Sequence, residues 1–305
     1  MVRGSLSRRH VESQLTPAHR FTLDYLGTPH ELADYVTTFY HFRCDDARID
    51  DIQPAAVGHL TLFPRGEGHM CRPDGGADPS HEVNLLTPFA VAAHFSMAGP
   101  FHAIGAALTP LGWAALTGLD AKVHANRLYD AGDWLDADLV RRGRALCQDY
   151  REGRADAGAC AAALGALILA AVTPITPGHR RLIAATSNWL ASALVPDLDR
   201  LYATSGYSQR QTQRLVERYF GLAPVAVRRK YRALRAATLL SLPDLSDEYE
   251  AQIAEAFYDQ PHMIREIRLF VGRTPTHLGE ADSPFLNEML DARNMRELNG
   301  DGGGF

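Results

Sequence analysis

SGYSQRQTQRLVERYFGLAP occupies residues 205–224, and DQPHMIREIRLFVGRTP occupies residues 259–275. The second stretch echoes the first at a constant offset. Tyr207-Ser208-Gln209 aligns with Tyr258-Asp259-Gln260, Arg214 with Arg265, Gly221 with Gly272 and Pro224 with Pro275, all 51 positions apart (258 − 207 = 51). An internal period of this kind implies two similar supersecondary units. Each copy reads as a capped helix carrying arginine and glutamine, closed by Gly-x-x-Pro. A helix built to lie in a DNA groove has this form.

The first unit is predicted from its punctuation. Residues 198–204 form a short helix and Ser205-Gly206 the turn. Ser208 caps a second helix that runs to Phe220, with Gln211 completing an S-x-x-Q capping box. Gly221 ends it as a left-handed residue. Thr212, Val216 and Phe220 recur every four residues and face inward. Arg210, Gln213, Arg214, Glu217 and Arg218 face out. A short helix, a tight turn and a capped second helix make a helix-turn-helix. Such a helix fits the major groove, where arginine can grip guanine O6 and N7 and glutamine adenine N6 and N7. Its free N-terminal N–H groups favour a phosphate.

Pro224 opens a longer helix to about residue 241, carrying Arg228, Arg229, Lys230, Arg232 and Arg235. Residues 205–235 hold eight basic side chains and one acidic one, Glu217, a local net of +7 (8 − 1) in a chain whose net charge is −5. In the second unit residues 249–256 form the first helix, Asp259 the cap, and Pro261 falls in the first turn, where proline is tolerated. Met263 and Ile267 match Thr212 and Val216 as inward positions. Gln260, His262, Arg265 and Arg268 remain for the surface. Residues 242–247 make an acidic connection. The linking helix is about 25 Å long at 1.5 Å per residue, which sets the two reading helices about one DNA turn, roughly 34 Å, apart. The phosphate contacts expected from this layout are Ser208, Arg218, Arg228, Arg229, Lys230 and Arg268.

The remaining two thirds of the chain have a different texture. The 305 residues are 46 % hydrophobic and 22 % charged, ordinary for a soluble chain of about two domains. Residues 36–42, 59–63, 83–86, 90–96 and 103–108 read as strands separated by Gly/Pro/Asp turns. Residues 30–36, 109–118, 135–150 and 155–172 read as helices. Residues 173–178 break the pattern and form the expected linker. The predicted fold is α+β: a small N-terminal β-barrel or sandwich with helices, then an all-α double helix-turn-helix joined by a long helix. The expected divisions are a polar arm at 1–20, a sensing or dimerising domain at 21–175 (β-rich to about 108, then helical), a DNA-binding domain at 179–278 and a tail at 279–305, with one further short helix at 285–298.

The residues at 205–224 and 259–275 resemble the C-terminal DNA-binding module of AraC/XylS-type bacterial transcription regulators. The second stretch is the more specific, with Asp-Gln-x-His, Arg265 and Gly-x-Thr-Pro. The resemblance covers about residues 180–278. It implies two helix-turn-helix units on a long helix, binding promoter DNA. Carried over, the base-reading residues are Arg210, Gln213 and Arg214 in the first unit, and Gln260, His262 and Arg265 in the second. Some positions depart from the pattern. Tyr202 replaces a small residue, Thr212 and Val216 replace a larger Leu and Phe, Ala256 replaces Gly, and Gln252 falls on the usual Ala. Residues 35–135 are similar, more weakly, to an uncharacterised cupin-like domain often fused to this module. Residues 103–119 and Leu128-Tyr129-Asp130 carry that similarity.

Other chemistries find little support. Four cysteines form no CxxC pair and no zinc spacing, so neither a zinc centre nor a disulfide framework is expected. Scattered histidines (His59, His69, His81, His94, His102) show no HxH pair. No P-loop, Rossmann or Gly-x-Ser-x-Gly fingerprint is present. No catalytic residue, metal or cofactor is therefore expected. The cysteine usage suits a reducing cytoplasm, and the basic N-terminus lacks the apolar run of a secretory signal. Expected partners are double-stranded promoter DNA, RNA polymerase, a small-molecule effector and a second copy of the chain, with no membrane. The competing reading is a small-molecule sensor that acts mainly through protein partners, with weak or one-sided DNA binding.

Overall fold

The computed structural model describes residues 21–241 and 245–278. The expected arm (1–20), tail (279–305) and short helix (285–298) lie outside the described residues, as do positions 242–244 of the acidic connection.

Eight strands form one antiparallel sheet: β1 (Phe21–Leu26), β2 (Val36–Cys44), β3 (Arg48–Gln53), β4 (His59–Cys71), β5 (Ala77–Pro79), β6 (Val83–Leu86), β7 (Ala93–Leu108) and β8 (Leu128–Asp130). The hydrogen-bonded order is β1-β2-β7-β4-β6-β8, with β3 also on β7 and β5 on β4. Strands β4 and β7 are longer than their sequence segments suggested. Pro64-Arg65-Gly66, read as a turn, is a pair of bulges that keeps β4 running. Pro100 follows a cis peptide within β7 and leaves that strand unbroken. A bulged strand bends and twists more strongly than a regular one, and the sheet curls around an apolar interior lined from β2, β3, β4, β6, β7 and β8. Strands β1, β3, β5 and β8 went unread. They are short or carry charges on one face, so their apolar alternation is weak.

The sheet's other face is covered by α2 (Ala137–Arg151) and α3 (Ala157–Ala171), which share a core with Leu60, Leu62, Ile104 and Leu108. Helix α1 (Pro110–Thr117) sits between the two halves of the protein. Its Trp113 belongs to the sheet–helix core, and its Leu111 and Ala114 belong to the core of the helical half. That helical half comprises α4 (Pro177–Ala191), α5 (Leu198–Thr204), α6 (Gln209–Phe220), α7 (Pro224–Leu240), α8 (Asp247–Ala256) and α9 (Gln260–Val271). The expected linker is tied down: Thr173 donates from its N–H (2.8 Å) and its hydroxyl (2.9 Å) to the carbonyl of Ala115. Among the described residues no helix is long and apolar enough to cross a membrane.

Candidate nucleic-acid interface

In the first unit α5 ends at Ser205, the chain turns at Gly206 (φ 74°), and α6 begins. The capping box is formed on both sides. The Ser208 hydroxyl accepts from the Gln211 N–H at 3.4 Å, and Gln211 Oε1 accepts from the Ser208 N–H at 3.3 Å. Gly221 closes the helix in the left-handed region (φ 79°), where a side chain would be strained. Thr212, Leu215, Val216, Tyr219 and Phe220 are buried. The departures at 202 and 212 now have a physical account. Thr212 exchanges a 2.8 Å hydrogen bond with the buried Ser205 hydroxyl, which locks the turn onto α6. The Tyr202 hydroxyl accepts from Gln213 Nε2 at 3.2 Å. A polar clasp replaces the larger apolar contact.

Arg210 and Arg214 are exposed one turn apart, and no hydrogen bond or ion pair engages either guanidinium among the described residues. Gln213 is exposed but shared with Tyr202. Arg218 is exposed, with its guanidinium 5.8 Å from the Tyr219 ring centroid. Glu217 pairs with Lys122 at 2.7 Å.

In the second unit Ser246 caps α8, and the Asp259 carboxylate caps α9, accepting from the His262 N–H at 2.6 Å. Pro261 stands in the first turn and Gly272 (φ 87°) ends the helix. Ile267 is buried as expected, and Met263 is partly buried against the same core. Gln260, Arg265 and Arg268 are exposed. His262 is not free to read bases: its Nε2 lies 3.2 Å from Glu266, and its ring stands edge-on to Phe257. The repeat is also unequal at its tyrosines. Tyr207 packs near His179, while Tyr258 is 94 % exposed.

Glu266 escaped the sequence reading and organises the second unit. Its carboxylate is 2 % exposed, accepts from Arg229 Nε at 2.6 Å, and also pairs with Arg232 Nη2. Burial alone would raise its pKa, but hydrogen bonds from Arg232 and Arg229 outweigh that and hold the carboxyl below its usual range. One signal was available: Glu266 sits three residues after Met263 and four before Phe270, on the apolar stripe of α9. Because Glu266 reaches Arg229, near the start of α7, α9 folds back along α7. The placing of α9 is therefore set by that packing and not by the full length of α7.

The expected basic face of α7 has mostly turned inward. Arg228 donates to the Pro196 carbonyl at 3.1 Å. Arg229 and Arg232 hold Glu266. Arg235 is buried and donates to the Ala193 carbonyl at 2.7 Å; burial lowers its pKa to about 10. Lys230 corrects the reading most sharply. Expected on a phosphate, it is 3 % exposed, and its Nζ donates to the carbonyls of Ala56 (3.1 Å) and Phe89 (2.9 Å) in the β half. The long side chain of Lys230 crosses to two loop carbonyls of the β half, of which that of Ala56 also accepts from the Phe89 N–H at 3.0 Å. Of the eight basic residues at 205–235, Arg210, Arg214 and Arg218 remain outward with no acidic partner.

The same β half grips the C-terminal ends of both α6 and α9. The Ala121 N–H donates to the Arg218 carbonyl (2.8 Å), the Ala92 N–H to Leu269 (3.0 Å) and the Ala55 N–H to Phe270 (2.7 Å). Just beyond α9, Arg273 Nη2 donates to Asp51 Oδ1 at 2.6 Å, with both side chains buried. A Cβ on Gly272 would come within 2.4 Å of Ile52, so this glycine serves both the helix end and the close approach of the β half.

No family model matches the chain, and no curated protein matches it. Solved structures of similar arrangement include ToxT from Vibrio cholerae O395 (9 % identity over 90 % of this chain and 99 % of that one, TM-score 0.44). Unsaturated fatty acid bound wild-type ToxT from Vibrio cholerae strain SCE256 is similar at 8 % identity (85 % and 95 % covered, TM-score 0.44). The AraC-like transcriptional activator CuxR is similar at 13 % identity (77 % and 86 % covered, TM-score 0.33).

Proposed function

We propose that this protein is a sequence-specific regulator of transcription that binds double-stranded promoter DNA through α6 and α9. One observation carries the reading. Arg214 and Arg265 stand six residues after their caps (214 − 208 = 265 − 259), each on the outer face of a capped helix, exposed and without an acidic partner. Two arginines in equivalent places on two duplicated helices suit two guanine contacts in the major groove. Arg210, Gln213 and Gln260 supply further base contacts. Ser208 at the start of α6, with Arg218 and Arg268, supplies phosphate contacts. Arg228 and Arg229 stay at the rim of this surface, each already tied within the protein. The β half acts as the effector-binding and dimerising part, and RNA polymerase is the onward partner of the DNA-bound form.

The inward turn of α7 favours a second reading, in which the grip on DNA is one-sided and most of the action runs through protein partners. Gel shifts across genomic promoter fragments test the first reading, which fails if no fragment is preferred over random duplex. A footprint covering a single major groove favours the second.

A further inference from the structure

Resting on the reading of the β half as an effector domain, we propose that the interior of the curled sheet binds a neutral, mostly apolar molecule, one ring or a short branched chain, whose single hydroxyl pairs with Thr61.

The interior holds a cavity of about 70 Å³. Its walls are Phe42, Phe63, Phe95 and Phe101, with Met70 and Met97. None of its lining side chains is charged. An anion or cation would be buried there without a counter-charge, which is strongly unfavourable. A sugar would leave most of its hydroxyls unpaired. The polar groups are few and, with one exception, engaged. The Tyr40 hydroxyl bonds to His59 Nδ1 at 3.1 Å, and Gln53 Nε2 donates to the Pro54 carbonyl at 3.3 Å. The Thr61 hydroxyl is the exception. It is 2 % exposed, lines the cavity, and has no hydrogen-bond partner among the described residues. A buried hydroxyl without a partner is rare and unfavourable, and a ligand hydroxyl would satisfy it.

The local register builds this corner. Gly105 stands opposite both Tyr40 and Thr61, and a Cβ there would fall 2.2 Å from the Tyr40 ring. The missing side chain lets the tyrosine lie flat and leaves Thr61 open. The cavity is smaller than the roughly 150 Å³ that admits benzene in an engineered core. Entry of a ring therefore needs the two methionines to shift, and their unbranched side chains allow that.

Titration calorimetry of the full chain, without DNA, with phenol, toluene and benzoate tests the proposal. Phenol is expected to bind, benzoate to give no measurable heat, and Thr61→Val to weaken phenol about tenfold while toluene changes less than about twofold. Ala103→Leu, which fills the same cavity, is expected to abolish phenol binding, with a thermal melt confirming that each variant is folded. Equal binding of phenol and benzoate, no binding of phenol, or phenol affinity untouched by Thr61→Val would overturn it. Gel shifts on the same preparations separate the two readings. Protein that shifts promoter DNA but ignores phenol sinks the cavity proposal alone, and protein that binds phenol but prefers no DNA sinks the regulator reading alone.

Discussion

Arg273 and Asp51, 222 positions apart, meet at 2.6 Å with side chains 5 % and 1 % exposed, at the point where α9 ends and strand β3 passes beneath it. Helix α9 is thereby fixed to the β half by a buried ion pair. Breaking such a pair by removing one partner typically costs about 3–5 kcal/mol, because the other charge stays buried. Asp51→Ala is expected to lower stability by an amount in that range in chemical denaturation. Asp51→Ala combined with Arg273→Met should recover much of the loss.

Lys230 separates anchorage from DNA contact. Lys230→Met removes the ammonium that donates to the Phe89 and Ala56 carbonyls, leaving the latter only the Phe89 N–H, and should destabilise the fold by about 1–3 kcal/mol, while the salt dependence of DNA binding stays unchanged. Arg218→Ala should do the reverse, with little effect on stability and a shallower log K against log salt plot, by about one unit of slope. Measuring both variants across a salt series decides whether α7 or α6 faces the phosphates.

Glu266 should behave as the central post of the second unit. Glu266→Ala leaves Arg229 and Arg232 facing each other without a carboxylate, and a loss of about 3–5 kcal/mol is expected. Its pKa is held below the ordinary value, so its stabilisation is present above about pH 4.5 and fades as pH falls through the depressed folded value. Denaturation curves of wild type and Glu266→Gln should converge as pH drops.

His59 gives a second pH signature with a wider window. Burial lowers its pKa from 6.5 to about 4. The unfolded chain takes up a proton below pH 6.5 that the folded chain refuses until about pH 4. Stability is therefore lost as pH falls across that window, by about 3 kcal/mol in full. His59→Asn should flatten this part of the stability–pH curve, and an unchanged slope would show that His59 is not buried neutral.

How much was legible in the sequence follows from which forces have local signatures. Caps, left-handed glycines and the apolar stripe of α6 are local, and Ser208, Gly221, Thr212 and Val216 all fall where their spacing put them. The exposed arginines at 210 and 214 follow from the same stripe, and Arg265 from its counterpart on α9. The inward fates of Lys230 and Arg235 do not, because each depends on a carbonyl brought in from another segment, while His262 is held by Glu266 one turn on along α9 and by the Phe257 ring before it. Charge counting along 205–235 treated every cation as solvated, whereas α7 is a spine whose cations satisfy neighbouring backbone. The strands failed where pairing overrode turn residues, as at Pro64 to Gly66 and at Pro100.

The central claim is that α6 and α9 read bases separately through Arg214 and Arg265. Selecting bound sequences from a random duplex pool with wild type, Arg214→Ala and Arg265→Ala tests it most directly. Wild type should yield a motif of two separate blocks, one for each helix. Each variant should lose discrimination in one block only, by about 1–3 kcal/mol at the affected base. A motif unchanged by both substitutions, or no enriched sequence from wild type, would contradict the account.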